Sequence, residues 1–475
     1  MSRFAAQRDR GDPHTCAKPE GMTLSAPILP LPAPRQTPYG LLRGAAFVGD
    51  QDLPAQSEVV IIGGGILGAA TAYYLALRKI PVVLCEKAEI ACESSSRAFG
   101  WITEMELQAS IAPILNQSKA LWAGLQSEIG ETGYRQHGIL HLADTEEDLA
   151  LHQAWLDGAR DFAGAGTRML TSQEVAERLP TASRRFAGGL LSPTDGSIEP
   201  IIATAKVAEA ARRAGARIVT DCAVRGLDLA AGRVTGVFTE KGYIKTSTVL
   251  CAANSWSRLF CGNLGVDVPQ LYVIMSMGRT SVTPGPIGSG GQHLWAWRSQ
   301  IDGGYSLGGV TGVRAPATRD GVKLYKRFAP LMKMMGGAKF DFGRDAWNDL
   351  RLARRWDPRK TSPFEMLRVL SGVTAPVAQG SLADNAKVFP EMAAATVAET
   401  WSGPLTLTPD GAPILGPVDQ IPGFHIATGC AMGLSWGPAI GKAMAADMTG
   451  ETADFDLKDF RLGRFSDAAA STKDG

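Results

Sequence analysis

The chain has almost no net charge. Its 48 Lys and Arg are matched by 47 Asp and Glu, leaving a formal charge of +1 over 475 residues. So close a balance gives no electrostatic reason to expect nucleic acid or an anionic membrane as a partner. Apolar runs of about 18 residues are also missing, so no membrane span is expected. The opening stretch MSRFAAQRDRGDPHTC lacks the apolar core of a secretory signal, and Met22 is a possible alternative start. The seven cysteines (Cys16, Cys85, Cys92, Cys222, Cys251, Cys261 and Cys430) are scattered, odd in number and without a C-x-x-C pair. That pattern points to a reduced cytoplasm. Metal signatures are thin. H-E-x-x-H is absent. His137 and His141 lie four apart, but on the strand expected there they are about 13 Å apart, too far for one ion. No acid–base dyad stands out either.

The stretch Glu58–Glu86 has the clearest organisation. Val59-Val60-Ile61-Ile62 reads as a buried parallel strand. Gly63, Gly65 and Gly68 then fit G-x-G-x-x-G, with Ile66 and Leu67 between the last two. Ala69–Leu77 reads as a helix, Pro81 as a break, and Val82–Leu84 as a second strand ending at Glu86. The first glycine allows the tight turn, the second lets backbone approach a pyrophosphate, and the third lets helix pack on strand. The free N–H groups and dipole of the helix start favour phosphate. Glu86, 18 residues after Gly68, suits a ribose hydroxyl pair. An acid there argues against an NADP 2′-phosphate and leaves NAD and FAD open. The plain alternative is a glycine-rich turn in another α/β domain.

Lys87 follows, and then Ser94, Ser95, Ser96 and Arg97. They suit a loop wrapping a diphosphate, or an N-cap and turn cluster; beside the preceding motif the first reading is favoured. Residues 1–56, rich in Pro, Arg, Gln and Gly, read as an extended tail without core pattern, and 456–475 as a second tail. Between them helices and strands alternate, as suits a sheet with helices on its faces. The segments 268–283 and 293–310 look antiparallel, with a turn at 300–304. Arg351, Arg354, Arg355, Arg359 and Lys360 make a basic cluster, read first as a solvated helix face.

Five segments in order carry a resemblance. They are VVIIGGGILGAATAYYLA, ESSSRAFG, DGSIEPIIATAKVAEAARRAGA, VLCAANSWS and WSGPLTLTPDGAPILGP…GFHIATGCAMGLSWGPAIGKAMA. Together they resemble the D-amino-acid-oxidase-like (DAO) family of FAD-dependent amine and amino-acid oxidoreductases, over about residues 57–450. The resemblance implies an α/β fold. A Rossmann-like FAD-binding domain (57–105, 186–262 and 397–455) would interleave with an antiparallel-sheet α+β substrate domain (106–185 and 263–396). It implies non-covalent FAD, with the diphosphate at Gly63, Gly65, Ile66, Leu67 and Gly68 and the adenosine ribose at Glu86 and Lys87. Further contacts are implied at Ser94, Ser95, Ser96 and Arg97, the adenine at Val224, and the flavin ring near Gly429, Gly433, Leu434 and Ser435.

Two departures stand out. Many members that handle amino acids carry W-x-G-x-R-P, whose Arg holds the substrate carboxylate; here Leu405 occupies that position. Either another Arg does that job, with Arg298 and Arg279 the expected substitutes, or the substrate is not a simple α-amino acid. Family members also often read G-H-G where this chain has Gly429-Cys430-Ala431; packing is the expected role of Cys430. Trp256, Tyr272, His293, Trp297, Tyr305 and Trp436 are aromatic candidates for the pocket wall. The implied reaction oxidises the C–N bond of an amino or imino acid (a D-amino acid, N-methyl amino acid, proline derivative or opine). Hydride passes to flavin N5 and leaves an imine, and O2, a quinone or an electron-transfer protein takes the electrons. An oligomer is compatible with all of this. The alternatives are oxidation of a 2-hydroxy acid on the same fold, or a non-catalytic flavoprotein subunit of a larger complex.

Overall fold

The computed structural model describes residues 28–105, 109–292, 295–309, 313–334, 339–370 and 376–466. His293, Cys16, Met22 and residues 467–475 therefore lie outside the described residues, whereas 456–466, expected as tail, packs on the body: Leu457 and Phe460 are buried and Arg464 donates to Asp410 at 2.8 Å. Among those described, the strands build two main sheets and three small ones, one of three strands and two of two. The first has six strands, in the order 217–219, 82–85, 59–62, 248–251, 424–428, 414–417. All its pairs are parallel except the last. Its central strands are continuous apolar runs because both faces are covered, one by helices and the other mainly by the small sheet of residues 224–245 and the short helix Ser257–Asn263.

The second sheet has ten strands and is mainly antiparallel. Its spine is the pair Leu271–Thr280 and Val397–Leu407, matched from Leu271↔Leu407 to Thr280↔Val397. The expected hairpin is present as Ala296–Ser299 against Tyr305–Gly308. Gly188–Ser192 also joins this sheet, between Ile139–Ala143 and Arg168–Thr171. Val224–Ala230, Arg233–Thr239 and Gly242–Lys245 form the three-stranded antiparallel sheet. No helix among the described residues is long and apolar enough to cross a membrane.

Two helices begin earlier than their sequence suggests. The first spans Ile66–Leu77 rather than starting at Ala69, so Gly68 lies inside it. The late helix spans Gly433–Thr449 and contains Pro438, a residue whose usual place is a helix's first turn and which the sequence alone reads as the helix start. Proline cannot donate to the carbonyl four residues back, here that of Leu434. The indole Nε1 of Trp122 donates to that carbonyl instead, at 2.8 Å. The helix thus continues through its proline because a side chain from another helix fills the gap. Gly437 and Gly441 let this helix approach the first one closely: a Cβ at Gly441 would lie 2.5 Å from Ala70 Cβ.

Residues 28–56 do not form a free tail. The segment begins with a hairpin, Arg35–Thr37 and Gly40–Leu42, and runs along the body of the protein. Its backbone bonds to Ile301, Ile201 and Ile218 through Leu29, Ala45 and Asp50. Leu42 and Phe47 are buried, and so is Arg43. Arg43 donates to Glu399 at 2.6 Å and to the Ser96 carbonyl at 3.0 Å, and lies 3.4 Å over the Trp401 ring. Such a segment shows no periodicity, because it is held by scattered single contacts rather than by one apolar face. Burial holds the Arg43 guanidinium below its usual pKa, opposed by Glu399. Arg43→Met is expected to cost about 3 kcal/mol, the low end for breaking a buried pair, because Arg279 stays 3.3 Å from Glu399. Thermal unfolding of the variant against wild type checks this.

Candidate functional site

The turn after Val59–Ile62 is made by Gly63, at φ +110°, whose N–H is held by the Cys85 carbonyl. The chain then enters the helix with Gly65 at its N-cap and no side-chain cap of its own. Ser95, from a distant segment, accepts from the Ile66 N–H at 3.0 Å. A hydroxyl oxygen thus stands where a phosphate oxygen would meet the helix dipole. Glu86 ends the neighbouring strand. Its Oε2 accepts from the Gly64 N–H at 2.6 Å and its Oε1 from the Ala88 N–H at 2.9 Å. Burial pushes the Glu86 carboxyl pKa up, while Lys87 and these two N–H groups pull it down.

These groups line a cleft of about 720 Å³ over the end of the parallel sheet. Lys87 lies 3.4 Å over the Trp256 ring and 3.8 Å from Glu93, with no hydrogen-bond partner for its Nζ. Its burial lowers its pKa. The cleft continues through Gly65, Ser94, Ser95, Ala252 and Asn254 into a second space of about 660 Å³. The second space is mostly apolar, with Met275, Met277, Leu405 and Cys430 in its wall. Among the described residues, Arg97 is its one cationic side chain.

The sequence-predicted cofactor residues divide into three groups. Gly63, Gly65, Glu86, Lys87, Ser94, Ser95 and Val224 line the first space, and Ile66, Leu67, Arg97, Gly433 and Leu434 line the second. Gly68, Ser96, Gly429 and Ser435 stand behind them. Gly68 packs under Gly63, where a Cβ would lie 2.0 Å from the Gly63 carbonyl oxygen. The Ser96 and Ser435 hydroxyls donate to the Glu93 and Trp101 carbonyls. Gly429 makes the turn after strand Phe424–Thr428, at φ +72°.

The expected substrate contacts need correction. Arg298 is 1% exposed and saturated: it pairs with Glu199 at 2.9 and 3.1 Å and donates to the Phe99 carbonyl and Ser306. It passes under Gly100 and ties two segments together, away from both spaces. Arg279 pairs with Asp302 and Glu399. Tyr305 belongs to the core around Trp295, Trp297 and Phe389, and Trp436 to the core beneath the first helix. Tyr272 lines a neighbouring cavity and not the cleft. The basic cluster also dissolves. Arg354 pairs with Asp320 and Asp349, Arg355 donates to the Asn263 carbonyl, and Arg359 lies over Phe238.

Asn254 and the Met275–Met277 pair went unread as site residues. Asn254 lies in the cleft at φ +41°, with its Oδ1 buried and unpartnered. Asn directly after a buried strand is the residue type that tolerates this conformation, so a signal was there. The methionines alternate on strand Leu271–Thr280, and Met275 faces Gly403 across the pair.

A doubly covered parallel sheet, a glycine turn over a helix start and an acid on the next strand define a dinucleotide-binding α/β protein. The comparisons narrow the class. The model of the FAD-dependent oxidoreductase (DAO) family matches residues 58–447, and the chain belongs to that family. FAD is accordingly its cofactor. L-amino acid deaminase from Proteus myxofaciens, solved with anthranilate, is 33% identical with a TM-score of 0.85, over 89% of this chain and 97% of that one. The Proteus vulgaris L-amino acid deaminase gives 31% and 0.85 over 89% and 100%. The mitochondrial dimethylglycine dehydrogenase of Mus musculus is 24% identical over 413 residues, 86% of this chain. The chain spans only 44% of that relative's length.

The cleft fits FAD. A Cβ at Gly65 would meet only Ser95 Oγ, at 3.3 Å, and otherwise projects into open space where a pyrophosphate would run. Gly65→Val is expected to fold and to bind no FAD, whereas Gly68→Ala should lose thermal stability as well. Glu86→Ala should only weaken FAD, at about 1.5–3 kcal/mol per hydrogen bond to the charged acceptor. Melting temperature and bound flavin per chain, measured together, separate the three.

Proposed function

We propose that the chain oxidises the C–N bond of an amino or imino acid at the far end of the cleft. The supporting observation is Arg97. Its Nη1 donates to the Leu370 and Ser402 carbonyls, at 2.7 and 3.3 Å. Its Nε and Nη2 have no such partner among the described residues. A substrate carboxylate taken out of water needs a cation, since a buried unpaired charge is heavily penalised. Leu405 cannot serve and Arg298 is spent on Glu199, so Arg97 is the group left to do it. The remaining wall of Met275, Met277 and Leu405 suits an apolar side chain and excludes water.

Bound FAD supplies the acceptor for the electron pair and hydrogen that leave the carbon next to nitrogen. Arg97 fixes the acid end of the substrate, which orients that carbon. Asn254 Oδ1, unpartnered in the cleft, is an acceptor for an N–H at the seam between the two spaces. The amine must lose its proton before its C–H bond breaks. Among the described residues no His, Asp or Glu lines the far end, so that proton goes to water. In this reading kcat/KM rises with pH up to the substrate's own ammonium pKa. The flavin is held without a covalent link. Burial pushes the Cys430 thiol pKa up, which disfavours the thiolate such a bond would need.

An anaerobic screen that follows flavin bleaching tests the assignment. Amino or imino acids should bleach the flavin; bleaching by 2-hydroxy acids alone would overturn it. Arg97→Met should lower kcat/KM for the acid by about 100-fold, mostly in KM, with little change for the methyl ester, because one charge-assisted pair is lost. If Arg97 held the flavin instead, the variant would lose FAD in proportion.

A further inference from the structure

A third cavity, of about 570 Å³, lies beside the cleft and meets it through Ser255 and Trp256. None of the chemistry above uses it. One wall is the helix Arg344–Arg351, which is built inside out. Its apolar Trp347 and Leu350 face solvent, 61% and 56% exposed, while Asp345 is turned inward and only 4% exposed. Such a helix sacrifices apolar burial to hold carboxylates inside, the reverse of the usual amphipathic arrangement.

Three carboxylates line the cavity: Asp320, Asp345 and Asp349. Two guanidiniums, Arg258 and Arg354, accompany them. Asp320 takes Arg258 at 2.9 Å and Arg354 at 2.8 Å. Asp349 takes Arg354 and, from outside the cavity, Arg319 at 3.4 Å. Asp345 takes neither. Its Oδ1 is fully buried and has no hydrogen-bond partner among the described residues. Burial pushes its pKa up, and Asp341 and Glu93 add to this against Arg344 and Arg97. A carboxyl group withdrawn from water without a partner destabilises the folded chain, more when charged than when neutral. The cost is relieved when a cation enters. Much of the remaining wall is aromatic and aliphatic, with Trp256, Tyr272, Leu259 and Leu271 beside a few neutral polar side chains. An inorganic cation has no use for such a wall, whereas a carbon skeleton bearing a positive charge does.

We propose that this cavity binds an organic ammonium cation, with the nitrogen donating to Asp345 and the carbon skeleton against Trp256 and Tyr272. The site is separate from the far end of the flavin cleft and shares no lining residue with it. Amines and amino acids carry this group in water near neutral pH. The cavity therefore takes the protonated form, and the flavin end requires the neutral one.

The probe is tert-butylammonium. It has no hydrogen on the carbon bonded to nitrogen, so it cannot be oxidised, and its binding is read independently of turnover. Isothermal titration into the FAD-loaded full chain should show one equivalent bound, with the visible flavin spectrum unchanged. Asp345→Asn should weaken binding by about tenfold or more, the loss of one charge-assisted bond, and Asp345→Glu should retain most of it. tert-Butanol should not bind. Absence of binding, equal binding to Asp345→Asn, or equal binding of tert-butanol overturns the proposal. So does competition by KCl at the same concentration, which would mark an inorganic cation site, or a shifted flavin band, which would put the probe at the flavin. If Asp345→Asn holds no FAD, the comparison of tert-butylammonium with tert-butanol on wild type decides alone. Failure of amino acids to bleach the flavin would sink the C–N oxidation reading and leave this site standing.

Discussion

The contact between Gly68 and the Gly63 carbonyl sets the rest of the molecule. Any side chain at position 68 would lie inside van der Waals distance of that oxygen, so the helix Ile66–Leu77 can press on its strand only through a bare backbone. That pressure aims the helix start at the cleft and brings Gly64 within reach of the Glu86 carboxylate. The late helix then repeats the device on the other side, with Gly437 and Gly441 against Ile66 and Ala70. Three elements drawn from opposite ends of the chain are thereby held at backbone distance, and the walls of the cleft inherit that rigidity.

Buried arginines provide the second level of order. Arg43, Arg97 and Arg298 each join segments far apart in sequence. Arg298 meets Glu199 at a separation of 99 residues, and Arg97 meets Leu370 at 273. Buried pairs of this kind add little net stability over apolar packing, but losing one partner is costly. Their effect is to specify which segments meet. That suits a fold whose chain passes repeatedly between two sheets.

Much of this was legible in advance. The glycine turn, Glu86 and the serine cluster form a local pattern, and local patterns survive without tertiary knowledge. The missing arginine at Leu405 was readable for the same reason. The residue proposed to compensate for it was not. Arg298 sits on a strand between aromatic residues, as a pocket arginine would, and only the fold reveals Glu199 opposite it. The segment 28–56 failed similarly, since Arg43 and Leu42 are buried by partners that no periodicity announces. The start of the late helix was misread because the proline rule assumes an isolated helix, and the Trp122 indole, donating to the Leu434 carbonyl, breaks that assumption.

The strand order of the parallel sheet has a consequence for how the protein comes into being. Val59–Ile62 and Thr248–Cys251 are neighbours, and Thr248–Cys251 also needs Phe424–Thr428. On a ribosome the sheet stays open at that edge until almost the whole chain has emerged. Pairings so remote close slowly and leave strand edges exposed while they wait. The nascent chain can show its dinucleotide turn early, but the pocket that grips the cofactor is a late product of synthesis.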